Sequence, residues 1–518
     1  MSDVTFTYVG SVFTHGSGQG TVLTMTDFSI DGVDKACFDF PENSVATLIE
    51  GSMKNCNTDG ESWAGAIVNA PGSSAGELHA ENLTVENSYV NFIDVDLQDV
   101  TLSNITVTNP SAQTGVAIDS MAGSNSRVYI NNVDADSYTS SNINAMGSLE
   151  MMDVDIGTAE LWLIPGGTSQ TGNGASGADA VLDTITSGKF TMQRMHPSVF
   201  TDITADDVSI TGTAITTQTM VMENFDIDAF TLVGCGWSLI MDAPTLESIK
   251  STCSSSSSKN TVTISDADFT HGSSTDHVVD GRNSQITLGE SSITSTSVSS
   301  TGPYVAKART GTNVVLVDVD INSNACSDST GDLGNCDIDV SSSTSNPSMV
   351  YYGGLANVSV YRVAGSTKVY KADHMVTASL VDSSMSEMFQ IGTHSTDANG
   401  NTSIWVVVED SDGTDYEDHI VRAFGTAGQN ETYPDNFPDT SLASDWYPSG
   451  GVTVGTHLDL LLEPAPIVFD DPTLDCTKLT TDPAYANLSG NYNGVDTFTF
   501  DDTSITVKAD LMLDTCGF

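Results

Sequence analysis

Cations are scarce in this chain, so the places where they gather beside carboxylates are the first places to look for chemistry. The segment KFTMQRMHP brings together Lys189, Arg194 and His196. Such a group could hold a uronate carboxylate and ease removal of the neighbouring sugar proton, as a polysaccharide lyase requires. A loop held by ion pairs is the plainer reading. The segment HGSSTDHVVDGRN places His271, Asp276, His277, Asp280 and Arg282 close together. Imidazole and carboxylate could exchange protons or hold a metal, but the spacing matches no helix-borne ligand pair, and alternate side chains of a strand face opposite ways.

Asp94/Asp96, Asp318/Asp320 and Asp337/Asp339 lie two apart, on one face if extended. Oxygen pairs of this kind could bind Ca²⁺ or act as the two carboxyls of a glycosidase. Among 68 acidic residues they also arise from composition alone. Ca²⁺ is therefore the one cofactor the sequence leaves open, and its ligands stay unassigned. The chain contains no Gly-x-Ser-x-Gly elbow, P-loop, dinucleotide glycine motif or His-Glu-x-x-His, so no catalytic residue is nominated.

The elements that would carry these residues show in a recurrent octet with apolar residues at p, p+2, p+5 and p+7 and Asn or Asp at p+4. It reads LTMTDFSI from Leu23, LHAENLTV from Leu78, VTLSNITV from Val100, VYINNVDA from Val128 and LEMMDVDI from Leu149. It returns as ITADDVSI from Ile203, MVMENFDI from Met220, VTISDADF from Val262 and VVLVDVDI from Val314. Chance would supply about two such matches. Looser copies start at Ile185, Leu239, Ile286 and Val358, and most successive starts then fall roughly 17 to 28 residues apart, a solenoid interval.

An alternating pattern that slips by one residue is two short strands joined at a corner. The corner residue needs a left-handed or bridging backbone, which Asn and Asp tolerate best after Gly. The expected corners are Asp27, Asn82, Asn104, Asn132, Asp153, Asp207, Asn224, Asp266 and Asp318. Stacked in parallel, such repeats would line up their apolar residues in interior columns, with Leu149, Met151, Val154 and Ile156 facing inward. Over about residues 20–345 this pattern resembles the right-handed parallel β-helix, or pectin-lyase-like, family. The resemblance implies handedness and fold but no chemistry, because such folds serve as lyases, tailspikes, adhesins and inert rods alike.

Composition agrees with an all-β chain of 518 residues, with 39% hydrophobic and 7% aromatic residues. The formal charge of −52 opposes nucleic acid and anionic lipid as partners. It suits a salt-rich milieu, where self-repulsion is screened. No apolar run is long enough to cross a bilayer, and MSDVTFTYVG has no signal-peptide pattern, so a secreted form would have lost its leader.

Eight cysteines fall as sequential neighbours, Cys37 and Cys56, Cys235 and Cys253, Cys326 and Cys336, Cys476 and Cys516, none at zinc, iron–sulfur or haem spacing. Local disulfides and an oxidising compartment are expected, with connectivity left open. Asn-x-Ser/Thr acceptors at Asn82, Asn104, Asn357, Asn401, Asn430 and Asn487 agree with an extracellular or cell-surface glycoprotein.

The period fades near Tyr351, where longer strands separated by Asp/Asn-Gly turns indicate a β-sandwich. The turn TDANGN, Thr396 to Asn401, between 376–381 and 404–408, resembles that of carboxypeptidase-regulatory-like, transthyretin-like modules, which implies no catalytic residues. The expected order is a parallel β-helix with its cap over 1–345, a sandwich over 346–465 and a β-rich tail over 466–518. That order resembles secreted surface proteins of marine or salt-loving archaea. It implies a non-enzymatic structural or adhesive subunit of a fibre, filament or surface layer that associates head to tail through its terminal strands. The alternatives are a polysaccharide lyase or glycoside hydrolase with Arg194 or Arg282 in a groove, and a non-catalytic binder of extracellular glycan.

Overall fold

The computed structural model describes residues 2–9, 21–41, 43–60, 65–69, 76–87, 89–95, 97–108, 111–120, 127–135, 140–145, 148–158, 160–163, 180–193, 199–212, 219–299, 301–323, 338–341, 346–364, 367–382, 386–424, 454–461, 497–500 and 503–506. These residues form strands and turns, with no helix among them. Two compact units divide the chain. One comprises residues 1–314 with 319–350, the other 315–318 with 351–518.

The first unit is built on one long parallel ladder. Val22–Val33 pairs with Val45–Cys56, which pairs with Glu77–Glu86, then Asp99–Thr108, Arg127–Asp134, Ser148–Asp155, Ala180–Gln193, Val199–Thr211 and Met220–Val233. Each partner comes from the next sequence repeat, so octet lies on octet in register. Leu149, Met151, Val154 and Ile156 are each at most 3% exposed, and Ser148–Asp155 runs parallel to both neighbours. Burial of such side chains contributes roughly 1.5–3 kcal/mol apiece.

Register and backbone angles single out the corners. Residues with φ near +50° stack from repeat to repeat as Asp27, Glu50, Asn82, Asn104, Asn132, Asp153, Thr184, Asp202, Asn224, Ala243, Asp266 and Glu290, and Asp318 has the same φ. Eight of the nine expected corners hold. Asp207 does not: it lies within Val199–Thr211, in register with Lys189, and the left-handed corner of that repeat is Asp202. The octet from Ile203 still found four inward residues, because a second bend follows Ala205 and returns Val208 and Ile210 to the interior. For the same reason the looser copy from Ile185 is out of frame, with its corner at Thr184. The copy from Val358 lies in the second unit, on a strand paired antiparallel with Asn401–Asp410.

One repeat lacked an octet because Glu50 is its corner and Gly51 stands where an inward apolar residue belongs. A Cβ there would lie 2.2 Å from the Phe28 ring, so the phenyl of the preceding repeat fills the space. Nearby, Cys37 is bonded to Cys56, and further along Cys235 to Cys253. Closing loops of 19 and 18 residues removes about 3 kcal/mol of freedom from the unfolded chain. Cys326, Cys336, Cys476 and Cys516 lie outside the described residues.

The second unit takes the strand Met349–Ala364 from Tyr351 onward, and that part pairs antiparallel with Asn401–Asp410 and parallel with His457–Leu461. Met375–Val381 pairs antiparallel with Glu387–Ser395 and His419–Phe424. Val358, Val360, Ile404, Val406, Val376 and Val421 share one core drawn from both sheets. The TDANGN turn therefore differs from its expected role. It joins Glu387–Ser395 to Asn401–Asp410, strands of different sheets, and Asp397 Oδ1 ties it by accepting the N–H groups of Asn399 and Asn401 at 2.8 Å. Of the tail, Thr497–Phe500 and Thr503–Thr506 form an antiparallel pair.

Candidate functional site

All the described Lys and Arg between residues 160 and 341 except Lys259, which precedes Asn260–Ser265, gather on one outward sheet face. Register stacks Glu160, Lys189 and Asp207 in one row. Further along, two positions over, Lys250, Asp280, Lys307 and Asp339 form a second row of alternating sign. Beside that row, Thr252, Arg282, Arg309 and Ser341 form a third. Strand alternation turns these side chains outward while Ile249, Val279 and Ala308 turn in.

Charges pair across repeats. Lys189 Nζ stands 3.9 Å from Glu160, Lys307 Nζ 3.1 Å from Asp339, and Arg309 Nη2 meets Asp280 Oδ2. Asp280 is 8% exposed, and its Oδ1 and Arg309 Nε are buried without partners among the described residues. Exposed pairs such as the first contribute about 0–1 kcal/mol, whereas truncating a partner of the buried Asp280 would strand a charge.

The expected His/Asp cluster comes apart. His271 is buried, with Nδ1 against Ser295 and Ser297 Oγ at 3.0 and 3.1 Å and Nε2 against the Asp276 carbonyl at 2.9 Å. Every ring nitrogen is occupied, which makes His271 a pin for its loop. Asp276 is bound by the hydroxyls of Ser273 and Thr275, and the Ser273 bond above all holds its carboxyl below the usual range. His277 Nδ1 accepts the Tyr304 N–H at 3.0 Å and its ring stacks on Tyr304 at 5.4 Å. Desolvation, then Lys307, pushes His277 down, so it stays neutral near pH 7.

Around the second bend, Asp206, Asp226, Asp228 and Glu247 crowd together. Partial desolvation and then these neighbours raise Asp228, as expected where like charges meet without a cation. Among the described residues no group of three His, Cys, Asp or Glu is placed to hold a metal ion. Asp94 is described but Asp96 is not, and Asp339 is described but Asp337 is not. Arg194 and His196 also lie outside the described residues.

Of the expected acceptor asparagines, Asn82, Asn104, Asn357 and Asn401 are exposed, and Asn430 and Asn487 lie outside the described residues. Asn82 and Asn104 are also corner residues, joined by hydrogen bonds. Sequence reading missed Arg309 and Lys307. The signal was present as Ala-Lys-Ala-Arg, an alternation one repeat after Val-Asp-Gly-Arg, and pairing the two segments needs the stacking register. The outward rows pair and screen charge from repeat to repeat, with the neutral His277 ring close by, stacked on the Tyr304 ring that flanks Lys307. No protein-family model, curated protein or solved structure matches this chain.

Proposed function

We infer that the chain is a non-enzymatic structural or adhesive subunit of the extracellular space, built as a right-handed parallel β-helix of stacked repeats followed by a transthyretin-like sandwich. It assembles head to tail into a fibre or surface layer, with glycan on exposed acceptors and in the salt-rich surroundings its charge suits. The carrying observation is the first strand. Ser2–Val9 pairs in parallel with Val22–Val33 on one side, and among the described residues nothing pairs its other edge. An open parallel edge is a template for another strand. The two disulfides support an oxidising compartment.

The side-chain assignments also favour this reading over a lyase or hydrolase. The carboxylate nearest Arg282 in sequence, Asp280, is buried and engaged by Arg309, and His271 has no free nitrogen. Sedimentation and negative-stain microscopy of the full chain in high salt test the proposal. Linear assemblies are expected, and a chain lacking residues 1–15 should stay folded and monomeric. Full-length protein that remains monomeric at high concentration overturns it.

A further inference from the structure

The chain carries 16 Lys and Arg against 68 acidic residues, yet one sheet face sets Lys250, Arg282, Lys307 and Arg309 on three consecutive repeats. Asp280 and Asp339 are the carboxylates at the matching register positions. The pair Arg282/Arg309 stands out. Register places the two directly opposite on neighbouring strands, which lie about 4.8 Å apart. Like charges so placed destabilise a sheet.

Arg309 is anchored by the buried Asp280. Arg282 is exposed and makes no side-chain hydrogen bond or ion pair among the described residues. The second oxygen of Asp280 is buried without a partner, so it does not bond Arg282 either. Elsewhere Lys54 meets Glu86 and Arg127 meets Asp99. In a chain with so many carboxylates to spare, an arginine without an acidic partner, set opposite a second arginine on the neighbouring strand, is open to an anion from outside.

We propose that Arg282 and Arg309 form an oxyanion site that takes a sulfate or carboxylate group, free or carried on a glycan, between their two guanidinium groups. Planar N–H forks match such oxygens, and bonds between ionised partners are the strong ones. Lys250 and Lys307 add positive field, and the Tyr304 ring stacked on His277 flanks Lys307 at 5.5 Å. A second copy would bring its own charge of −52 to the face, so a small oxyanion-bearing group suits the field better. The site stands whether or not the chain assembles.

The test titrates the full chain with sodium sulfate, dextran sulfate and uncharged dextran at matched ionic strength, by calorimetry and thermal melts, beside Arg282→Gln. Arg309 is left intact, because its loss would strand Asp280. We expect sulfate or dextran sulfate to bind where dextran does not, and binding to weaken about ten-fold in Arg282→Gln, as loss of one charge-assisted bond implies. Without ligand the variant should melt no lower than the parent, since repulsion is relieved. General stabilisation by sulfate as an excluded salt would persist in the variant and is thereby separated. Binding of sulfate alone identifies a free ion as the source, and tighter binding of dextran sulfate identifies a glycan. Equal binding by parent and variant, or by neither, overturns the site. So does self-association that needs Arg282 in the absence of both ligands.

Discussion

Asn104 donates its Nδ2 hydrogen to Asn82 Oδ1 at 3.0 Å, and Asn132 Nδ2 donates in turn to Asn104 Oδ1 at 2.8 Å, so the left-handed corners of three repeats form one amide ladder. A shorter ladder runs beside it, from Asn87 to Asn55 to Asp31 at 3.2 and 2.7 Å. The same residue type thus answers two demands. It tolerates φ near +50°, and its amide bonds the turn above to the turn below.

Substitution at Asn104 separates these roles. Asn104→Gly keeps the backbone conformation and loses two rungs, whereas Asn104→Ala loses the rungs and adds about 1–2 kcal/mol of left-handed strain. Urea denaturation should rank the parent above Gly and Gly above Ala. Equal stability of the two variants would mean that the corner imposes no conformational demand.

Gly51 and Phe28 are complementary in volume. Gly51→Ala alone should destabilise by about 1–3 kcal/mol, since the new methyl overlaps the phenyl ring. Trimming the ring with Phe28→Leu should recover part of that loss, and a double-mutant cycle with no coupling would refute the complementarity.

These positions also show what could be read from sequence. Repeats with four apolar inward residues and an Asn or Asp corner were legible, because two physical demands coincide in one octet. Glu50 was missed because it is neither Asn nor Asp and because packing against Phe28 put Gly51 at an inward position. Thr184 was missed because it is neither Asn nor Asp and because Ser187 occupies the last inward position, buried and without a partner among the described residues. Asp202 was missed because its repeat has a second bend that mimics the first. The anion-gripping face was half legible. Arg282 stood in view, but Arg309 becomes its neighbour through stacking across 27 residues, a relation set by register rather than local spacing.

The second unit should be acid-labile. His419 is fully buried, accepts the Val407 N–H at 3.1 Å, and desolvation lowers its pKa to about 4. His394, against Trp405, is also lowered to about 4 by desolvation. An unfolded histidine titrates near 6.5, so between about pH 6.5 and 4 the unfolded chain binds more protons and stability falls with falling pH. For His419 the loss approaches about 3 kcal/mol. His394→Leu removes a ring nitrogen that has no partner among the described residues. Its melting temperature should therefore fall less than the parent's between pH 7 and pH 5, and identical slopes would contradict the assignment.

Asp27 and Glu50 invert that dependence. They are stacked corners of adjacent repeats, and the Glu50 carboxyl is raised first by its hydrogen bond to Asp27 and then by the repulsion of that charge. The folded chain therefore holds this proton more tightly than the unfolded chain does. Its contribution is complete below the ordinary glutamate range and is lost as pH rises through the raised value. Glu50→Gln supplies an amide that can donate to Asp27 at any pH. The variant should melt above the parent at pH 7, and the gap should close below about pH 4, where the parent carboxyl is protonated. High salt should narrow the gap at pH 7 by screening the repulsion between these exposed groups. A difference that is constant from pH 3 to pH 8 would show that the two carboxyls do not share a proton across the repeats.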